Sequence, residues 1–315
     1  MRMRIKLPFL LLLAAALLTG CGKQQLEFTV IDGETQSVVS MAEGETIEGS
    51  ALVYTQSGAV FYADGYRLEE PLYGAIKEPP EKTVMDIARE AEHLLDDGER
   101  VLIVYIDGLG YGSFERAVAD GAVPNLASLR YEKAASVYPT ITPVNYAAMI
   151  TGKAPAENGV TKRGIHEISC ETVFDYAARL GIESYASEGD TQILKLTNTT
   201  LELSPDLNGS GTGDDEIFAC ALAALNDYGL VFVHFHSVDD ASHEYGPGSD
   251  EARKALVRAD EWVGELLSAW DGRVLITADH GQHEQDGTGD AAYSDRRGTH
   301  GDFAVSDIFV PYFER

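Results

Sequence analysis

The chain has 315 residues, 24 basic against 51 acidic side chains, a formal net charge of −27, 44% hydrophobic residues and three cysteines. That length and apolar content support a sizeable buried core and exclude wholesale disorder, while the acidity argues against a nucleic-acid backbone or an anionic lipid face as main partner. Three cysteines exclude a fold built on disulfides.

Residues 1–20 read as a secretory signal. Arg2, Arg4 and Lys6 give a positive start, residues 7–18 a twelve-residue apolar run, and Thr19-Gly20 a small-residue stop before Cys21. Such a run is too short to span a bilayer comfortably. Leu18-Thr19-Gly20-Cys21 resembles a bacterial lipobox, in which the cysteine is lipidated and becomes the mature N-terminus. Losing three of the 24 basic residues leaves 21 against 51 acidic ones, a net −30. The mature chain is then expected to be extracytoplasmic, tethered to the cell membrane by acyl chains at Cys21.

Residues 21–80 carry short β-type runs (26–31, 51–54, 59–62) between Gly, Ser and Asp turns, which predicts a small antiparallel sheet ending near Pro79-Pro80. From 81 to 315 the pattern changes. Helical stretches (84–95, 147–151, 172–180, 215–225, 252–270) alternate with strands (101–106, 134–137, 230–235, 274–278). Continuous apolar strands between helices predict an α/β domain with a mostly parallel sheet covered on both faces. Cys170 and Cys220 are expected as unpaired thiols, the latter within an apolar helical stretch.

Polar ligands on such sheets gather at the carboxyl ends of strands. Three predicted strands run there into acidic residues: Asp107-Gly108, the segment His236-Ser237-Val238-Asp239-Asp240-Ala241-Ser242-His243, and Asp279-His280-Gly281; His300 follows in a loop. Three carboxylates and three imidazoles at one edge require compensating cations. Mixed oxygen and nitrogen ligands suit zinc, and manganese less well; six are too many for one tetrahedral ion and about right for two. Thr142, between a strand and a helical segment, offers a hydroxyl either as a helix cap or, beside two cations, as a nucleophile.

The segments Tyr105-Ile106-Asp107-Gly108, Pro139-Thr140-Ile141-Thr142-Pro143-Val144-Asn145, Thr151-Gly152, Asp239 through His243 to Pro247, Thr277-Ala278-Asp279-His280-Gly281 and Gly298-Thr299-His300-Gly301 occur in the order seen in the alkaline phosphatase superfamily. They resemble most its nucleotide pyrophosphatase/phosphodiesterase branch, over residues 100–303. The resemblance implies one zinc on Asp239, His243 and His300. It implies a second on Asp107, Asp279 and His280 that also touches Thr142, the nucleophile, which forms a covalent phospho-threonine. Asn145 is implied as a supporting substrate contact. One departure stands out: where that branch has an asparagine donor to the phosphoryl oxygen, this chain has Arg163. A guanidinium suits a dianionic terminal phosphate better than a diester.

The expected function is therefore a two-zinc hydrolase of small-molecule phosphate esters, of phosphodiesterase/nucleotide pyrophosphatase type. A phosphomonoesterase or phosphonate hydrolase of the same superfamily is the alternative, and a metal- or solute-capturing lipoprotein the alternative of another class. Thr142-Pro143-Val144-Asn145 lacks the Cys/Ser-x-Pro-x-Arg context of sulfatases. The sequence points to no duplex nucleic acid and no obligate protein partner. Of the other histidines, His93 is expected to be exposed, and His234 and His236 to share one strand face behind the ligands. His166 lies close to Arg163 in sequence, and His283 and Glu284 are placed to line the pocket.

Overall fold

The computed structural model describes residues 23–285 and 296–315; residues 1–20, expected as a signal, and Cys21 lie outside the described residues. Strands β1 (Gln25–Asp32), β2 (Thr35–Ala42), β3 (Thr46–Thr55), β4 (Val60–Arg67) and β5 (Leu72–Lys77) form a sheet in the order β2-β1-β5-β3-β4. It is antiparallel as the turn-rich sequence predicts, except that β1 and β5 run parallel. β2 is almost wholly exposed and β5 is interrupted by Gly74, so neither carries a clear strand pattern.

Alternation along β3 gives this sheet two jobs. Ala51 and Val53 face its own core of Phe28, Ile47 and Leu68, whereas Leu52 and Tyr54 pack with Phe303, Ile308 and Phe309 from the far end of the chain. Gly74 is required by this docking, since a Cβ there would lie 2.3 Å from the Phe303 ring. Tyr54 also donates to Ser136 O at 3.0 Å. The N-terminal sheet is thus joined by a shared core to the segments that precede Thr142 and follow His300.

The second sheet contains β6 (Lys82–Thr83), β7 (Val101–Ile106), β8 (Arg130–Ala135), β9 (Ser184–Glu188), β10 (Thr200–Leu203), β11 (Leu230–Phe235), β12 (Arg273–Thr277) and β15 (Phe309–Glu314), while β13 (His283–Glu284) and β14 (Gly298–Thr299) pair as a separate ribbon. Its order is β10-β9-β11-β7-β12-β15-β8-β6, parallel from β10 to β12, with β15 antiparallel to both neighbours. Every residue of β7 and β11 is buried, as expected of central strands covered on both faces. The strand expected at 134–137 ends earlier, at Ala135, because the Val137 N–H leaves the ladder to donate to Asn145 Oδ1 at 2.7 Å.

Helices α1 (Asp86–Asp96), α2 (Tyr111–Ala119), α3 (Pro124–Ala127), α4 (Thr142–Thr151), α5 (Pro155–Asn158), α6 (Val173–Arg179), α7 (Asp214–Ala224), α8 (Ser237–Tyr245), α9 (Asp250–Ala269) and α10 (Val305–Ile308) complete the fold. They pack mainly as two groups, α1 with α4 and α6, and α9 with α3, α7 and α8. The Asp260 carboxylate on α9 accepts from Leu126 N at 2.8 Å and Asn125 Nδ2 at 2.9 Å, pinning α3. Cys170 and Cys220 are free thiols, both half-buried.

β9 ends in a buried acid. Glu188 is fully enclosed, Tyr146 Oη donates to its Oε1, and its Oε2 has no partner. Burial pushes this carboxyl up from 4.5 to about 7, and the Tyr146 hydroxyl only partly opposes it. A raised folded pKa favours the protonated native state. Its contribution is therefore full below pH 4.5 and is lost as pH rises through 7, by about 3 kcal/mol. Denaturant unfolding of Glu188→Gln at pH 5 and pH 8 is expected to show a pH slope shallower than wild type by about that amount. Parallel slopes for the two proteins would contradict the assignment.

Candidate active site

The three strands whose ends carry the predicted acids are neighbours, β11-β7-β12, so their carboxyl ends converge. β7 delivers Asp107, and β12 delivers Asp279 and His280 two and three residues beyond its end. β11 leads directly into α8, whose Asp239 and His243 stand one turn apart on one face. Gly108 lets these parts meet: its φ is +75°, and a Cβ there would lie 2.8 Å from Asp239 Cα. The β13–β14 ribbon brings in His300.

Two clusters result. Asp239 Oδ2 lies 3.2 Å from His243 Nε2, and its Oδ1 lies 3.9 Å from His300 Nε2. His280 Nε2 lies 2.9 Å from Asp279 Oδ2, 3.6 Å from Asp107 Oδ1 and 3.3 Å from Thr142 Oγ1. The clusters touch, since the His280 and His300 rings stack at 3.6 Å. All six predicted ligands therefore fall into the two sets of three expected, each set close enough to share one ion.

The far nitrogens bear on what these rings can bind. Nδ1 of His243, His280 and His300 faces the carbonyl of Gly298, Gly281 and Thr140 at 2.8, 3.1 and 2.8 Å. A proton donated there leaves Nε2 as a lone pair turned inward, the tautomer a metal ligand needs. Burial, aided by His280, pushes His300 down to about 3, so this ring stays neutral. The carboxylates make the complementary case. Burial, with Asp279 and Asp239 beside it, raises Asp107 well above the carboxylate range. Asp239 is buried too, and the same desolvation works against its charge. Asp107 Oδ1 and Asp279 Oδ2 are buried without hydrogen-bond partners. Enclosed anions with unused lone pairs beside inward-facing imidazole lone pairs fit divalent cations.

Thr142 is not the helix cap. The N-cap of α4 is Ile141, Thr142 is the first helical residue, and no side chain caps this end. Its hydroxyl is free to face His280.

The family model for type I phosphodiesterase/nucleotide pyrophosphatase matches residues 101–174 and 184–294, more than half of the chain. The chain belongs to that family. Among the solved structures similar to this chain is the murine ectonucleotide pyrophosphatase/phosphodiesterase 5, solved in an inactive form with AMP, which is 14% identical with a TM-score of 0.52 over 68% of this chain and 87% of that one. The phosphonoacetate hydrolase of Sinorhizobium meliloti, solved with phosphonoformate, is 19% identical with a TM-score of 0.51 over 61% of this chain and 60% of that one. These likenesses show a shared fold, that of the alkaline phosphatase superfamily. Two curated relatives are 2,3-bisphosphoglycerate-independent phosphoglycerate mutases. That of Lachnoclostridium phytofermentans is 30% identical over 139 residues, covering 42% of this chain and 26% of its own; that of Methanopyrus kandleri is 31% identical over 147 residues, covering 44% and 33%. The chain thus spans a quarter to a third of their length.

Within this phosphodiesterase-family site, two substrate contacts expected from the sequence fare differently. Asn145 is fully buried; its Oδ1 accepts from Val137 N, and its Nδ2 donates to Pro139 O at 3.1 Å. The amide is spent on the loop before Thr142, which Asn145 staples. Arg163 does reach the site, with one guanidinium nitrogen 3.2 Å from His300 Nε2. His166 turns to Ile193 O, and His93 is exposed.

Sequence reasoning missed two supports. Gln282 Nε2 donates to both Asp239 Oδ1 and Asp239 O. Asp307, fully buried, accepts from Gly301 N and Asp302 N at 3.1 Å each and faces His283 Nδ1 at 2.8 Å, fixing the loop that follows His300. Gln282 lies two residues after His280, which is the one local hint of it.

Proposed function

We propose that this protein is a phosphate-ester hydrolase of phosphodiesterase/pyrophosphatase type. In this reading one zinc is held by Asp239, His243 and His300, a second by Asp107, Asp279 and His280, and Thr142 is the nucleophile. Bound there, the two cations would offset charge on the phosphoryl oxygens and make the Thr142 hydroxyl more acidic. The chain's own groups do the rest. The observation that carries the reading is Thr142 Oγ1 beside His280 Nε2, on a helix that does not use this hydroxyl as a cap. At the first turn of this ten-residue helix Pro143 has no N–H and those of Val144 and Asn145 donate to Ile141 O, which leaves the N–H of Thr142 itself to meet an arriving anion. Attack by Oγ1 on phosphorus would expel the ester oxygen and leave a phospho-threonine for water to hydrolyse. The signal and lipobox place the enzyme, in this proposal, outside the cytoplasmic membrane on an acyl anchor at Cys21.

Arg163 favours a second reading, in which the substrate carries a dianionic phosphate or a phosphonate. A fork of N–H donors beside His300 matches two non-bridging oxygens. Turnover of zinc-reconstituted protein on an aryl phosphodiester and an aryl phosphomonoester tests both. Arg163→Asn is expected to move the kcat/KM ratio toward the diester by about tenfold, the worth of one charged hydrogen bond. An unmoved ratio would remove Arg163 from the substrate site. Tight zinc binding with no hydrolysis of any ester would instead favour the capture lipoprotein.

A further inference from the structure

Two imidazoles behind Asp107 take no part in the proposed pair of cation sites. The His234 and His236 rings are 3.8 Å apart and face one carboxylate oxygen: Asp107 Oδ2 is 3.3 Å from His234 Nε2 and 3.7 Å from His236 Nδ1. Three donor atoms so spaced also fit a third ion. The far nitrogen of each ring decides between a metal site and a hydrogen-bonding role.

At His243, His280 and His300 the far nitrogen faces a backbone carbonyl, which leaves the near one a lone pair. At His236 the direction is reversed. The Gly189 N–H donates to Nε2 at 3.3 Å, so the proton of the neutral ring sits on Nδ1, toward Asp107. At His234, Nδ1 is buried without a partner, and the acceptor beside Nε2 is Asp107 Oδ2. Its proton therefore also sits toward the carboxylate, because an enclosed N–H with nothing to bond costs more than an unused lone pair.

Both rings are held in place. His234 is fully buried and stacked on Tyr105 at 3.8 Å with the planes 12° apart, and Tyr146 meets its edge at 5.5 Å. Asp214 accepts from His236 N and Ser237 N at 2.8 Å each, anchoring the turn from β11 into α8.

We infer that His234 and His236 are a clamp on Asp107. The His234 N–H donates to Oδ2 at 3.3 Å, the His236 N–H stands 3.7 Å from the same oxygen, just outside hydrogen-bond reach, and Oδ1, which has no hydrogen-bond partner, is thereby presented toward Asp279 and His280. They are positioning residues and not a third ion site. The inference rests on the two-cation reading above.

The test is zinc affinity of the chelator-stripped full chain, by competition with a chromophoric chelator, together with the number of ions bound. Wild type is expected to bind two. His236→Ala should still bind two, with the weaker ion loosened about ten- to a hundredfold. His236→Asn, whose amide N–H can stand in for Nδ1–H, should recover most of that loss, and His236→Gln should not. For His234, which uses Nε2, the order reverses: Gln recovers and Asn does not. His236 has a 22% exposed side chain, so its series carries the test if a His234 variant fails to fold. Unchanged affinity in His236→Ala would overturn the clamp, as would three ions in wild type falling to two in that variant. Fewer than two ions on wild type would overturn the cation reading itself and the clamp with it, so the wild-type count tells the two failures apart.

Discussion

Thr142→Ala is expected to lower kcat for ester hydrolysis by at least about a thousandfold, with unchanged far-UV dichroism and unfolding midpoint. The loss follows from removing the only atom proposed to bond to phosphorus; no other group can make that bond, so the water reaction alone remains. The retained fold follows from the structure of α4. Its N-cap is Ile141, and the Thr142 side chain makes no capping bond, so alanine there gives up a hydroxyl and no helix contact. Thr142→Ser should retain a measurable part of the rate, because it keeps an oxygen at the same place beside His280. Denaturing gel analysis after a quench should show substrate-derived phosphate on wild type and on the serine variant, and none on the alanine variant. Full turnover in Thr142→Ala would remove the nucleophile from this account.

The second large effect concerns stability. Stripping divalent cations with a chelator is expected to lower the thermal midpoint by at least about 10 °C, because an ion present at a thousand times its dissociation constant adds about 4 kcal/mol. The effect of Asp107→Asn on stability should change sign between the stripped and the zinc-loaded protein. Burial and its acidic neighbours raise the Asp107 pKa well above the carboxylate range. Its negative charge therefore penalises the folded state increasingly as pH rises above the usual carboxylate pKa. Neutralising it should make the stripped variant more stable than stripped wild type at pH 8, with little difference at pH 4. In zinc, the variant should be less stable than wild type, since it lacks one oxygen ligand. Differential scanning fluorimetry with and without chelator at both pH values checks the crossover. Equal midpoints in all four conditions would show that Asp107 meets no cation and little repulsion.

Much of this site was legible because its signals are local. An apolar run ending in an acid marks the end of a central strand: β7 runs at once into Asp107 and β12 reaches Asp279 two residues on, while β11 meets its acid, Asp239, only in the helix that follows. Asp239 and His243 share the four-residue spacing that puts two side chains on one helical face, even though the polar helix α8 around them is not obvious from periodicity. What escaped depends on parts brought together only by tertiary folding. Whether Asn145 meets substrate or backbone is decided by how the loop before Thr142 turns, and no spacing encodes that turn. Gln282 and Asp307 matter through what they touch, Asp239 and the loop after His300. The parallel pairing of β1 with β5 joins residues 45 apart in the chain, Thr29 with Gly74 through Asp32 with Lys77, and leaves no pattern in either strand. Arg163 sits in an exposed turn, where an arginine is unremarkable until His300 is found beside it.

The proposed chemistry requires two cations, the second of them beside Thr142. The most direct measurement is an anomalous-scattering crystal structure of zinc-reconstituted protein, with ions counted by mass spectrometry of the same sample. The expected result is two zinc peaks per chain, one within bonding distance of Asp239, His243 and His300 and the other of Asp107, Asp279 and His280, with Thr142 Oγ1 beside the second. A single peak, or two peaks held by other residues, would contradict it.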